Sequence, residues 1–294
     1  MGQVILGNER LRQLASGMPR PIKRTIKELL FRNALRSTDV FLVGHPKSGN
    51  TWLAYMLAIM LRAGDPGGAI TVANLGEFVP AIHGDELAIL RHRELPDPRA
   101  FRDEFPRFPD RYPRALYIVR DPRSVLVSYF HHYRVTTGDE SLSLDGFVAK
   151  YLADGCILAW EPLVRWDKQV AEWMERARDP SVMMVPFEAL HQDRRAVLEE
   201  VASFCGVTSP EHAIDVAVER SSFARMRSEE EQWGAQAYLL DAGEAYRQNM
   251  RGRGNWFFRQ GRIDGWKDEL PTAARRAIEE EFGPVMERLG YSVS

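Results

Sequence analysis

Short apolar runs alternate along this chain with longer amphipathic stretches. Val40–Val43, Ala115–Val119 and Val182–Val185 have no polar alternation, which is the pattern of strands covered on both faces. Helical periods follow them, from Thr51 to about Leu61, over Asp121–Tyr133 and over Asp193–Cys205. Asp121 suits the N-cap of its helix and Pro122 the first helical position, and Ser209-Pro210 opens another helix by the same logic. Ala273–Leu289 predicts the last helix, and one more begins near Pro21. Residues 224–255 are polar, Gly-containing and poorly periodic, and predict a mobile loop. Strands alternating with helices predict an α/β fold, a single domain with a central parallel sheet flanked by helices.

Composition narrows the function. The 294 residues suffice for one large domain with a substantial core. Hydrophobic residues make up 45% and charged residues 27%, the balance of a globular chain. A net charge of −2 argues against general nucleic-acid binding, which needs an excess of cations. The cations are lopsided, 33 Arg against 6 Lys, so a lysine inside a motif is informative. Cys156 and Cys205 fit neither a disulfide framework nor a metal-ligand spacing and read as small buried apolar residues. There is no run of about 18 apolar residues to span a membrane, no apolar signal core, and Leu6 stands where a myristoylation motif needs Ser or Thr. These features point to a cytoplasmic protein. Residues 1–38 form a basic N-terminal extension, with Arg20, Lys23, Arg24, Lys27, Arg32 and Arg36. It is read as a surface helix packed on the domain formed by residues 39–294, with contact to a membrane surface as the alternative.

The segment after the first strand, Pro46-Lys47-Ser48-Gly49-Asn50-Thr51-Trp52, carries the first candidate chemistry. Backbone N–H groups on a glycine turn at a helix N-terminus form an anion pocket. Lys47 adds a movable cation and Thr51 a hydroxyl donor. Nucleoside-triphosphate loops place Lys directly after their last Gly, whereas Lys47 stands two residues before Gly49, so the spacing departs from an ATP site. The second constellation is Tyr117-Ile-Val-Arg120-Asp-Pro-Arg-Ser-Val-Leu-Val-Ser128-Tyr129. Arg120 ends a strand, at the sheet edge where α/β proteins bind ligands. Ser124 and Ser128 lie on one face of the next helix, and a guanidinium with a hydroxyl can grip a phosphate monoester.

Together these segments resemble the P-loop sulfotransferase domain, the cytosolic-type family that uses 3′-phosphoadenosine 5′-phosphosulfate (PAPS) and releases its desulfated product PAP. The resemblance implies a P-loop nucleotide-kinase-like architecture. By it, Lys47 meets the bridging oxygen, the loop backbone with Ser48, Gly49, Asn50 and Thr51 holds the 5′-phosphate, and Trp52 packs on adenine. Arg120 and Ser128 take the 3′-phosphate. The stretch Phe257-Phe258-Arg259-Gln260-Gly261-Arg262-Ile263-Asp264-Gly265-Trp266-Lys267 is similar to the family's R-K-G-x-x-G-x-W-K loop. Arg259 and the backbone at Gln260 and Gly261 would close over the 3′-phosphate, with Gln260 in place of the usual cation and Arg262 or Arg253 as compensation, and Phe258 beside them would also bind the cofactor. Ser221-Ser222-Phe223 matches the family's S/T-S-F segment, so that Ser221 bonds adenine and Phe223 stacks on it. Phe187 stands where relatives often have a base-contacting Tyr.

The acceptor's base departs from the family pattern. Relatives carry K-(S/T)-H before this strand, and the matching stretch here is Arg102-Asp103-Glu104, which puts Glu104 in the His place. His92 is the rival if the alignment shifts. His131 and His132, following Ser128, can approach the acceptor or serve structural roles. The expected reaction moves a sulfuryl group from PAPS to a hydroxyl or amine of a small-molecule acceptor. Lys47 stabilises the leaving oxygen, Glu104 takes the proton, Ser128 restrains Lys47, and no metal is required. The alternatives are a P-loop nucleotide kinase and a non-catalytic nucleotide-binding relative. The family's C-terminal dimer motif is interrupted by Pro271-Thr272 and Arg276, so the oligomeric state is left open, as is the acceptor, shaped by residues 62–100 and 224–255.

Overall fold

Four parallel strands form the centre of the chain, in the order β2-β1-β3-β4. The computed structural model describes residues 19–62, 70–83, 85–155, 164–208, 210–233 and 258–293. Strand β1 is Val40–Gly44, β2 Ala100–Arg102, β3 Arg114–Val119 and β4 Val182–Pro186. β1 and β3 are buried on both faces, apart from the half-buried Arg114, as their unbroken apolar runs require. Phe41, Val43, Phe101, Ala115, Tyr117 and Val119 face one core. Val40, Leu42, Leu116, Ile118 and Val185 face the other. The result is a single α/β domain of three layers.

Helix α1 (Arg20–Ala34) leads into β1, α2 (Asn50–Arg62) follows it, and α3 (Pro122–Thr137) follows β3. Helices α4 (Leu144–Asp154) and α5 (Trp166–Arg176) pack on the face of Tyr117. After β4 come α6 (Phe187–Gln192), α7 (Arg194–Cys205), α8 (Pro210–Arg220) and α9 (Phe223–Trp233), and α10 (Thr272–Arg288) closes the chain. The Asp121 cap works as the sequence predicts, and Ser209 lies outside the described residues. Asp121 accepts from the Arg123 N–H with Pro122 opening α3, and Asp193 accepts from the Ala196 N–H of α7.

The chain moves from β1 outward to β2, then crosses back to β3 on the other side of β1. That reversal opens a crevice between the carboxyl ends of β1 and β3, the place where such sheets bind ligands. β2 is not among the strands read from the sequence, because it has only three residues and no apolar run of its own. It registers Val40 with Ala100 and Leu42 with Arg102.

One expectation is corrected. Residues 224–233 are not loop but belong to α9. This helix buries little apolar surface besides Met226 and is tied down by carboxylates instead. Glu229 accepts from the Tyr55 hydroxyl and the Val72 N–H, and Glu230 from the Phe258 N–H. A helix held this way leaves no apolar period to read. Residues 234–257 and Cys156 lie outside the described residues, while Cys205 is buried and its thiol is pushed up to about 12 by that burial. Among the described residues no helix is long and apolar enough to cross a membrane.

A buried ion pair joins α1, β1 and β2. Arg99 donates through Nε and Nη2 to the two oxygens of Asp39, at 2.8 and 2.5 Å, and through Nη2 to the Ala34 carbonyl. Both side chains are sealed from solvent. Removing one partner strands the other's charge, so Arg99→Met should cost about 3–5 kcal/mol. Urea unfolding should show a lower midpoint with an unchanged slope, and Asp39→Leu added to Arg99→Met should recover most of the loss.

Candidate active site

β1 ends at Gly44, where a Cβ would lie 2.5 Å from Asn50 Oδ1 and 2.8 Å from the Ile118 carbonyl oxygen. The chain then doubles back into α2. Lys47 and Gly49 both take positive φ, 71° and 107°, and a Cβ on Gly49 would lie 2.6 Å from the Phe187 ring. The turn therefore needs glycine at position 49 and sets the first N–H groups of α2 at the crevice, with the positive end of the helix dipole behind them.

His45 holds this turn from below. Its Nδ1 is 2.9 Å from the Pro46 carbonyl oxygen, which can only accept, so Nδ1 carries the proton. Nε2 then accepts from the Tyr151 hydroxyl, also at 2.9 Å, and that hydroxyl accepts from the Trp166 N–H. The ring is fully buried, and burial lowers its pKa to about 4. It is locked neutral.

Arg120, leaving β3, links three segments. Its Nη1 donates to the Lys47 carbonyl at 3.3 Å, its Nη2 to the Arg262 carbonyl at 3.4 Å, and its guanidinium sits 4.1 Å over the Phe187 ring. Its Nε is buried without a partner among the described residues. Burial lowers the pKa to about 10, which leaves the group cationic at neutral pH. One turn apart on α3, Ser124, Ser128 and His132 line the same cavity. The Ser124 hydroxyl donates to the Ile263 carbonyl at 3.0 Å and so ties α3 to the loop after residue 258.

That loop brings Phe258, Arg259, Gln260, Gly261 and Arg262 to the cavity. Arg259 and Gln260 both donate to Glu269 Oε1, at 2.5 and 2.7 Å, and His131 Nε2 donates to Glu269 Oε2 at 2.7 Å. Glu269 thereby orients the cation that the family resemblance assigns to a phosphate. Arg262 reaches the wall, but its guanidinium pairs with Asp264 and Asp268. Arg253 lies outside the described residues.

At one end the cavity, of about 280 Å³, is aromatic. Trp52 donates through Nε1 to the Ser221 carbonyl at 2.8 Å. The Phe187 and His191 rings stand 5.3 and 5.1 Å from the Trp52 ring, and the Arg194 guanidinium lies 4.9 Å over it. Phe223 is partly exposed and Gly261, at φ 63°, closes over its ring so tightly that a Cβ would lie 2.3 Å away. Ser221 and Ser48 are buried behind the wall, and neither hydroxyl has a partner among the described residues.

The other end is polar. Asp103 is fully buried, accepts from the Tyr112 hydroxyl at 2.6 Å and from the Phe105 N–H at 3.0 Å, and so fixes the turn that presents Glu104. Asn50 Nδ2 donates to Glu104 Oε1 at 3.0 Å and to the His45 carbonyl at 3.1 Å. The Glu104 N–H donates to His83 Nδ1 at 3.3 Å, and His83 holds an unusual φ of 33°. His132 is kept neutral, well below the usual histidine range, by burial and by the Lys47 ammonium. His92 is not in the wall; it is half-buried with its ring 6.4 Å from Phe101.

The structure thus gathers Lys47, Gly49, Asn50, Thr51, Trp52, Glu104, Arg120, Ser128, Phe187, Phe223, Phe258, Arg259, Gln260 and Gly261 at one cavity. Ser48 and Ser221 stand just behind it, and His92 stands apart. The sequence reading missed His83, His191, Arg194 and Glu269. His191 was within reach of it, four residues after Phe187 and hence on the same helical face. His83 and Glu269 carry no motif. The donor set fits a nucleotide with two separated anionic groups. Helix N–H groups and Lys47 lie at one point, Arg120 at another, and an aromatic slot lies alongside. Among the described residues no group of three or more His, Cys, Asp or Glu side chains is placed to hold a metal ion.

Comparison with known proteins gives the family and the fold. The sequence profile of the sulfotransferase domain matches residues 37–290. A guinea-pig (Cavia porcellus) 3-beta-hydroxysteroid sulfotransferase is 23% identical over 266 residues, covering 87% of this chain and 86% of its own. A rabbit (Oryctolagus cuniculus) amine sulfotransferase is 23% identical, covering 84% and 80%. Among solved structures, a mouse sulfotransferase complexed with PAP shares the fold with a TM-score of 0.63 at 22% identity, over 89% of this chain and 91% of its own. Retinol dehydratase in complex with androsterone and PAP superposes with a TM-score of 0.64 at 18% identity, over 87% and 83%.

The neutral His45 generates a pH prediction. Its pKa is lower folded than unfolded, so between about 4 and 6.5 the unfolded chain binds more protons and stability rises with pH. As pH falls through that window the His45 contribution, ~3 kcal/mol, is lost. The burial-depressed histidines 92, 131, 132 and 191 act in the same direction, so the test is a difference. Urea stability of His45→Gln should fall less steeply than wild type from pH 6.5 to 4, and parallel curves would show that His45 titrates as in water.

Proposed function

The chain belongs to the sulfotransferase domain family and is a PAPS-dependent sulfotransferase; we propose that it sulfates a hydroxyl or amine of a small acceptor, with Glu104 as base and Lys47 on the leaving group. The observation that carries this reading is the meeting of Lys47, Arg120 and Glu104 at one cavity from three different strand ends. The 5′-phosphosulfate lies on the Lys47 loop and the N-terminus of α2. The 3′-phosphate lies against Arg120, Ser128 and Arg259, and adenine lies between Trp52, Phe187 and Phe223. In the reaction the acceptor oxygen or nitrogen attacks sulfur in line. The bond from sulfur to the bridging phosphate oxygen breaks, PAP departs with the electron pair, and the acceptor proton passes to Glu104.

Catalysis by this arrangement is positioning plus charge stabilisation. Asn50 fixes the Glu104 carboxylate while its backbone starts the anion-binding helix, so base and leaving group share one rigid reference. The neutral His132 beside Lys47 adds no competing cation where charge develops. Steroid and amine acceptors appear in the names of relatives; the acceptor here is a small molecule bound at the polar end of the cavity. The base is Glu104 rather than His92, because only Glu104 reaches the cavity wall.

Turnover of labelled PAPS across phenols, alcohols and amines tests the reaction class directly. Lys47→Ala should lower turnover by about 10²–10³, with a smaller loss of PAP affinity. Normal turnover at saturation with poor PAP binding would make Lys47 a binding residue only. Glu104→Gln keeps the shape but cannot take the proton, so turnover should fall by about 10²–10⁴ while PAP affinity holds. His92→Ala should stay within a few-fold of wild type, and the reverse ranking would remove Glu104 from the mechanism.

A further inference from the structure

Helix α1 has two unlike faces. On the inner one Phe31 is fully buried against Phe41, Phe108 and Tyr112, with ring centroids 6.0 to 6.1 Å apart. On the outer one Ile22, Ile26 and Leu29 are exposed at 49%, 37% and 55%. Their spacing of four and three residues places them on one stripe. Only three other large apolar side chains among the described residues are exposed, Val164, Phe223 and Val293, and they are scattered. The same helix carries Arg20, Lys23, Arg24, Lys27 and Arg32 against a single carboxylate, Glu28, which pairs with Arg111 at 2.8 Å. The whole chain has a net charge of −2, so this positive charge is local to the helix.

We infer that α1 docks the protein on an anionic lipid surface, with Ile22, Ile26 and Leu29 seated at headgroup depth and Lys23 and Arg32, which border the stripe, against lipid phosphates. An apolar stripe alone would also suit a second copy of the chain. A two-fold contact through this face, however, brings Lys23 and Arg32, the cations that border the stripe, against the same pair of the other copy, which opposes association. The chain's own first eighteen residues offer no counter-charge either, since they hold Arg10 and Arg12 against Glu9. An interfacial helix of this kind combines modest apolar burial with attraction of Lys and Arg to acidic headgroups. None of these residues lines the cavity, so the inference stands apart from the transfer chemistry.

Flotation of the full chain with phosphatidylcholine vesicles, with and without about 30% phosphatidylglycerol, tests it. Binding to the anionic vesicles should be at least about tenfold stronger and should fade as salt is raised. Two variants separate the contributions, Ile22→Ser/Ile26→Ser/Leu29→Ser and Lys23→Glu/Arg32→Glu. Each should weaken vesicle binding by about tenfold or more while keeping the thermal shift given by PAP. Equal partitioning onto both vesicles, no binding to either, or an unaffected triple variant overturns the inference. So does a triple variant that dissociates a dimer in sedimentation or melts several degrees lower, since the stripe is then covered by protein.

Discussion

The cavity depends on one guanidinium. Arg120 leaves the end of β3 and bonds the carbonyl of Lys47 on the β1 loop and that of Arg262 on the C-terminal loop, while it lies flat on the Phe187 ring after β4. Three segments far apart in the chain are thereby held around one cation. The arrangement uses features that Lys lacks, a planar face for the ring and several donors in fixed directions. It leaves Nε buried without a partner among the described residues, an expense that a protein tolerates where an anion is to be bound.

From this centre the site divides along its length. The aromatic end, with Trp52, Phe187 and Phe223, offers flat apolar surface and few donors, which suits a base. The polar end, with Glu104, His83 and His132, suits a group that must lose a proton. Between them the α2 N-terminus and Lys47 supply positive potential. Buried supports hold each part in register. His45 and Tyr151 sit beneath the loop, Asp103 and Tyr112 behind Glu104, and Glu269 behind Arg259.

The anion loop, the strand carrying Arg120 and the capped helix after it were legible in the sequence because their signals are local. A glycine that must take positive φ, a proline in a first turn and an aspartate at a cap each declare themselves within a few residues. β2 was not legible, because its three residues become a strand only by pairing with β1. Helix α4 did carry signals, Ser143 at its N-cap and Gly155 in the left-handed region after it, and α5 repeats Trp166, Val170 and Trp173 on one face. Helix α9 is held by Glu229 and Glu230 through partners far off in sequence, so its polar pattern read as loop. Glu269 and His83 matter only through what they touch across the fold, and no spacing along the chain announces that.

The central claim is that this cavity recognises a nucleotide by two phosphates, one on the Lys47 loop and one on Arg120. Titration calorimetry of PAP against 5′-AMP tests it most directly, because the two ligands differ only at the 3′-phosphate. Charge-assisted hydrogen bonds contribute roughly 1.5–3 kcal/mol each, so PAP should bind at least about tenfold tighter. In the Arg120→Ala variant most of that preference should disappear. Equal affinity of the wild-type protein for PAP and 5′-AMP would contradict the account, since Arg120 would then hold together a cavity without reading the ligand.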